Sequence, residues 1–142
     1  MDNDIEKIAS KHLGRAGDGS VVNPYKTPEA IDDSLLVAIP RELNRTQYKI
    51  DSNDLPFKGF DTWHCYEISF LNSNGYPINC VGKISYPCDS EFIVESKSIK
   101  LYLNSFNMQR FPLSNIDDCM DAAKEKIQTD LSDALKTDVR VG

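Results

Sequence analysis

TWHCYEISFLNSNGYPINCVGKISY, residues 62–86, sets two alternating runs around an Asn-Gly pair. In the first run Tyr66, Ile68 and Phe70 alternate with Glu67 and Ser69, the period of a half-buried strand. In the second, Ile78, Cys80, Ile84 and Tyr86 share one face, and Gly82 between them marks a bulge. Asn74-Gly75 supplies the positive φ angles of a tight turn. The stretch predicts an antiparallel hairpin whose core face carries Tyr66, Ile68 and Phe70, with Trp63 and His64 as packing residues.

After PCDSEF breaks the sheet, FIVESKSIKLYLNSF at 92–106 reads two ways. Ile99, Leu101 and Leu103 alternate like a strand, whereas Ile99, Tyr102, Leu103 and Phe106 fall at i, i+3, i+4 and i+7. Lys97 and Lys100 decide for a helix, because on that period they turn away from the apolar stripe. A further helix begins where Ser114 or Asn115 can cap it. Asp117 and Asp118 suit its positive end, and Ile116, Cys119, Met120, Ala123, Ile127, Leu131 and Leu135 trace its stripe. Val139 and Val141 then alternate as a new strand would.

Upstream the pattern weakens. Residues 1–13 place Ile5, Ile8, Ala9, His12 and Leu13 as a short helix would, and GRAGDGSVVNPYKTPEA reads as an irregular arm. SLLVAIPRELNR holds a short apolar run stopped by Pro40. The expected organisation is an N-terminal arm and wrapping segment over 1–60 and an α+β unit over 61–142, with hairpin, helix, helix and the start of a strand. Two strands cover two amphipathic helices poorly, so a missing strand pair, from a second module or a homo-oligomer, is expected to complete the sheet.

The chain has 142 residues, enough for one domain with a core and too few for two. It carries 16 Lys+Arg against 22 Asp+Glu, so its net charge of -6 repels a phosphate backbone and argues against direct nucleic-acid binding. No apolar run reaches the roughly 20 residues of a membrane span, and MDNDIEKIAS lacks the form of a signal peptide, so a cytoplasmic location is expected. Cys65, Cys80, Cys88 and Cys119 show no CxxC spacing, and His12 and His64 are far apart. Reduced thiols are expected and no metal site, with Cys80 and Cys88 as buried structural thiols.

ESKSIKLYLNSF from Glu95, with IPRELNR and LPFKGFDTWHCYEISFLNSNGYP around it, resembles one family closely. It is similar to the N-terminal module of the two-module NADPH-dependent 7-cyano-7-deazaguanine reductases, the QueF-type nitrile reductases of queuosine tRNA-modification biosynthesis. The resemblance runs from about Leu13 to the end. It implies the tunnelling fold (T-fold): a strand pair, two helices and a second strand pair, the last truncated here.

The resemblance also implies roles. A guanine-like base presents two parallel donors, and Glu95 would accept both, with Val94 and Ser96 lining the same pocket. Ser96 and Lys97 would lie beside NADPH, the ammonium near phosphate oxygens. In the family a cysteine attacks the nitrile, an aspartate supplies a proton and two NADPH deliver hydrides. The positions that match that cysteine and aspartate hold Leu71 and Ile78, and NSFNMQRFPLSN lacks the family's His-Glu pair. The resemblance therefore implies half an active site with no catalytic residue in this chain. The alternative is a non-catalytic purine-binding remnant or scaffold of the same fold.

Overall fold

The computed structural model describes residues 29–142. The helix predicted over 1–13 and nearly all of the arm after it lie outside the described residues. Strand β1 (Ala38–Pro40) leads into a short helix α1 (Arg41–Arg45), then come the long strands β2 (Phe60–Leu71) and β3 (Pro77–Pro87), and strand β4 (Phe92–Val94). Helix α2 (Ser96–Asn104), helix α3 (Ile116–Leu135) and strand β5 (Arg140–Val141) complete the described chain. The class is α+β with antiparallel sheets. One sheet has the order β2-β3-β5 and the other pairs β1 with β4.

The hairpin forms where the alternation placed it, with Leu71 opposite Pro77 and Phe60 opposite Pro87. Its turn differs in detail from the Asn-Gly expectation. Asn72 organises it, its Oδ1 accepting from the N–H groups of Asn74 and Tyr76, and Gly75 alone takes positive φ, at 76°. The bulge is the larger correction. Cys65 pairs with Gly82 and Ile68 with Cys80, so two residues of β2 stand opposite one of β3, and the extra residue lies at Tyr66–Glu67 and not at Gly82.

That insertion reverses the alternation. Trp63 and Cys65 face inward before it and Ile68 and Phe70 after it, while Tyr66 is 78% exposed, against its expected place in the core. Gly82 contributes space instead. A Cβ there would lie 2.9 Å from Cδ1 of the buried Ile68.

Both long helices cover the inner face of the three-stranded sheet. Ile68, Phe70, Ile78, Ile84 and Tyr86 from the hairpin share one core with Ile99, Tyr102 and Leu103 of α2, with Phe106 just after it, and with Cys119, Ala123, Ile127, Leu131 and Leu135 of α3. The buried stripe of α3 starts later than expected. Ile116 and Met120, placed in it from the sequence, are 48% and 40% exposed. Both lie among the first five residues of the helix, where only Cys119 is buried, whereas Ile127 and Leu131, at nearly the same helical angles further along, are buried. Val139 and Val141 are buried around exposed Arg140, and β5 pairs with β3 through Val141 opposite Ile84.

Two polar clusters tie this core together. Tyr102 of α2 donates to Asp130 of α3 at 2.7 Å, and Lys126 reaches the other carboxylate oxygen at 2.9 Å. Burial, then the hydrogen bond to Asp130, pushes the Tyr102 hydroxyl far above its ordinary ionisation range. On the other side, the buried Arg41 guanidinium meets Asp61 at 2.6 Å, the Pro87 carbonyl and the Ser90 hydroxyl, above the Tyr86 ring. Arg45 donates to the Cys88 carbonyl and lies over the Phe57 ring. The segment before β2 is therefore fastened to the hairpin by two arginines, whose charges remain among protein acceptors.

Candidate functional site

Strand β4 turns into helix α2 at Glu95, and the local chemistry explains why the change falls there. The extended backbone of Glu95 (φ -70°, ψ 136°) still belongs to the strand, and its N–H donates to the Val37 carbonyl at 2.9 Å. Its side chain already belongs to the helix. Oε1 accepts from the Lys97 N–H at 3.0 Å and Oε2 from the Ser98 N–H at 2.7 Å, which satisfies two of the amide groups that a helix start leaves without partners. The Ser96 hydroxyl stands 3.4 Å from Oε1.

An acid at the start of a helix also complements the positive end of its dipole. An ionised carboxylate has about four lone-pair directions, and the two amide bonds use about half of them.

The other residues expected at the site are spread around this point. Val94 is buried, at 2% exposure, in the common core, and its N–H donates to the Tyr86 hydroxyl at 3.3 Å. Ser96 is exposed and Lys97 half-buried, while Lys100, one turn on, is exposed. None of these ammonium groups forms an ion pair among the described residues. The Tyr86 hydroxyl also accepts from the Trp63 indole N–H at 3.0 Å, so Trp63 packs as expected and ties the hairpin to β4. His64 is exposed and stacks on Tyr66.

Sequence reasoning missed Ser98. Its side chain is fully buried, accepts from the Val37 N–H at 3.1 Å and donates to the Glu95 carbonyl at 2.8 Å. The signal available was a serine on the apolar side of an amphipathic stripe.

Leu71 and Ile78 lie at the base of the hairpin turn, Leu71 half-buried and Ile78 buried, and neither offers a nucleophile or an acid. The cysteines do not replace them. Burial raises the Cys65 and Cys80 thiols and so disfavours thiolate, Cys80 pointing at the Ile68 carbonyl. Cys80 is only half-buried, against the expectation of a buried thiol, because it lies beside the bulge, and Cys88 is buried as expected. Among the described residues no three His, Cys, Asp or Glu groups come together to hold a metal ion, and no helix is long and apolar enough to cross a membrane.

Residues 27–142 match the family described as nitrile reductase, 7-cyano-7-deazaguanine-reductase N-term. Similar proteins carry the name NADPH-dependent 7-cyano-7-deazaguanine reductase. That of Rickettsia prowazekii is 58% identical over 85 residues, covering 60% of this chain and 30% of the relative. That of Chromohalobacter salexigens is 43% identical over 114 residues, covering 80% and 39%. That of Xanthomonas campestris pv. campestris is 40% identical over 124 residues, covering 87% and 43%. The chain thus spans less than half the length of these curated relatives. With four fifths of its residues inside the match, and the Glu95 motif among them, the chain belongs to the family of the 7-cyano-7-deazaguanine nitrile reductase N-terminal domain.

Proposed function

We propose that this chain is the substrate-anchoring part of an NADPH-dependent reductase that converts the nitrile of 7-cyano-7-deazaguanine into the aminomethyl group, on the queuosine route, in a tunnelling fold. The observation that carries the reading is the state of Glu95. Its carboxylate is fixed by two amide donors at 3.0 and 2.7 Å, and its remaining acceptor capacity would take two parallel donors, the N1–H and exocyclic amine of a guanine-like base. Glutamate is also outside the set of side chains that cap helices best, so helix stability alone does not account for it.

NADPH would supply the hydrides. Because Glu95 takes up the first amides of α2, the phosphate oxygens of the cofactor would be held by the Lys97 ammonium beside the exposed Ser96 hydroxyl, not by helix amides. Leu71 and Ile78 leave the chemistry to a further module that carries a cysteine and an aspartate, either as a separate chain or through assembly of such modules. They equally favour a second reading, a purine-binding protein without turnover.

Calorimetric titration with 7-cyano-7-deazaguanine and an NADPH oxidation assay on the same preparation test this. The expected results are binding that Glu95→Gln weakens roughly 100-fold, since a glutamine amide sets a donor against a donor, and no turnover. Unchanged affinity in that variant removes Glu95 from the site, and turnover by the chain alone sinks the half-site reading. Turnover that appears on adding a module with cysteine and aspartate decides against the binding-protein reading.

A further inference from the structure

Strands β1 and β4 pair as Ala38 opposite Val94, so the next pair in the ladder is Val37 with Glu95. In an antiparallel ladder with this register the two residues exchange both backbone hydrogen bonds. Only one is present, from the Glu95 N–H to the Val37 carbonyl. The other is replaced by the Ser98 hydroxyl, which stands between the two groups, accepting from the Val37 N–H at 3.1 Å and donating to the Glu95 carbonyl at 2.8 Å. The Glu95 carbonyl turns instead to the helix and accepts from the Ile99 N–H at 3.1 Å.

From this arrangement, and resting on the reading of Glu95 as the purine anchor, we propose that Ser98 is the positioning residue of the site, closing the β1–β4 ladder at the residue where strand becomes helix and so holding Glu95 against β1. The physical reason is that the Val37 N–H and the Glu95 carbonyl point past each other once the chain bends into α2. A hydroxyl is both donor and acceptor and spans the gap, and Ser98 is fully buried, so water does not take over the task. The carboxylate is then seated from two sides: its amide caps come from α2, and its backbone is pinned to the segment that Arg41 and Arg45 fasten to the hairpin.

Ser98→Ala removes the hydroxyl and keeps the Ser98 N–H cap, so it isolates this effect. The measurement is amide hydrogen exchange at Glu95 and the Glu95 side-chain rotamer by NMR in the full chain, with Asn115→Ala as a control that loosens the start of α3. The expected result is exchange at Glu95 faster by about tenfold and an averaged rotamer in Ser98→Ala, with neither in Asn115→Ala. A single rotamer and unchanged exchange in Ser98→Ala overturn the proposal.

Titration with 7-cyano-7-deazaguanine separates the two readings. Weaker binding by Ser98→Ala, by about tenfold, supports both. Wild-type affinity in Ser98→Ala beside lost affinity in Glu95→Gln overturns the positioning role alone. Wild-type affinity in Glu95→Gln overturns the anchor and leaves Ser98 to be judged by the exchange and rotamer result.

Discussion

Helices α2 and α3 pack side by side on the same sheet and begin in the same way, yet only one beginning is explained by its own stability. Asn115 caps α3, its Oδ1 accepting from the N–H groups of Asp117 and Asp118 at 2.8 and 3.3 Å. Asparagine is among the best caps, and the two aspartates complement the positive helix end. Glu95 caps α2 with the same two-amide pattern but with a longer, charged side chain, and Ser-Lys-Ser follows in place of acids. A lysine in the first turn opposes the helix dipole, and a glutamate cap offers more acceptor capacity than two amides use. The contrast teaches where to look for a ligand: at the helix start whose residues a stability argument would not have chosen.

Making the first beginning like the second breaks the comparison most directly. Glu95→Asn exchanges a charged cap for a better neutral one, so the unfolding free energy from a urea titration should change by no more than about 0.5 kcal/mol. Affinity for 7-cyano-7-deazaguanine should nevertheless fall roughly 100-fold, about 2.7 kcal/mol, because the shorter neutral side chain no longer accepts two parallel donors. Loss of folding without loss of affinity in the surviving protein would make α2 as ordinary as α3.

How far the sequence foretold this difference depends on range. The stripe of α3 and the hairpin were legible because each is periodic over many residues, and the helix in 96–104 was legible because its two lysines broke the strand alternative. The inversion at Tyr66 was not, since a bulge is a property of pairing with Cys80 and Gly82 and leaves no mark on β2 itself. Strands β1 and β4 have three residues each, too few to show a period. Arg41, Arg45, Ser98 and Asp130 are buried polar groups that each have a partner 28 to 61 residues away, and nothing local announces that partner. At the candidate site, Glu95 was legible through its motif, and its use as a cap was only hinted at by its place before the stripe.

The two helices also meet each other, and that contact gives the next largest effect. Tyr102→Phe leaves a buried Asp130 oxygen without its donor, which should cost about 2 kcal/mol in a urea titration. The pH dependence follows from the same contact. The folded state holds the Tyr102 proton above the ordinary value, so its contribution is fully present below about pH 10 and is lost as pH rises beyond it, where the unfolded chain ionises first. Lys126, raised chiefly by its hydrogen bond to Asp130, acts in the same direction, weakened by its solvent exposure. Stability should therefore be level with respect to these groups from pH 7 to about 9.5 and decline above, and the decline should be shallower in Tyr102→Phe. An identical alkaline decline in that variant would place the titrating group elsewhere.

The smallest effect falls on the ordinary helix. Asn115→Ala removes two cap bonds at an exposed helix start and should cost about 1 kcal/mol, visible as a lower urea midpoint with an unchanged slope. Asn115→Asp keeps the acceptor and adds a charge favourable to the dipole, offset by Asp117 and Asp118 beside it, so its stability should stay within about 0.5 kcal/mol of wild type. Neither change should alter purine affinity, because the cap of α3 is joined to the Glu95 site only through the common core. A shift in affinity from either would mean that the two helix starts are coupled, and that the start of α3 also belongs to the site.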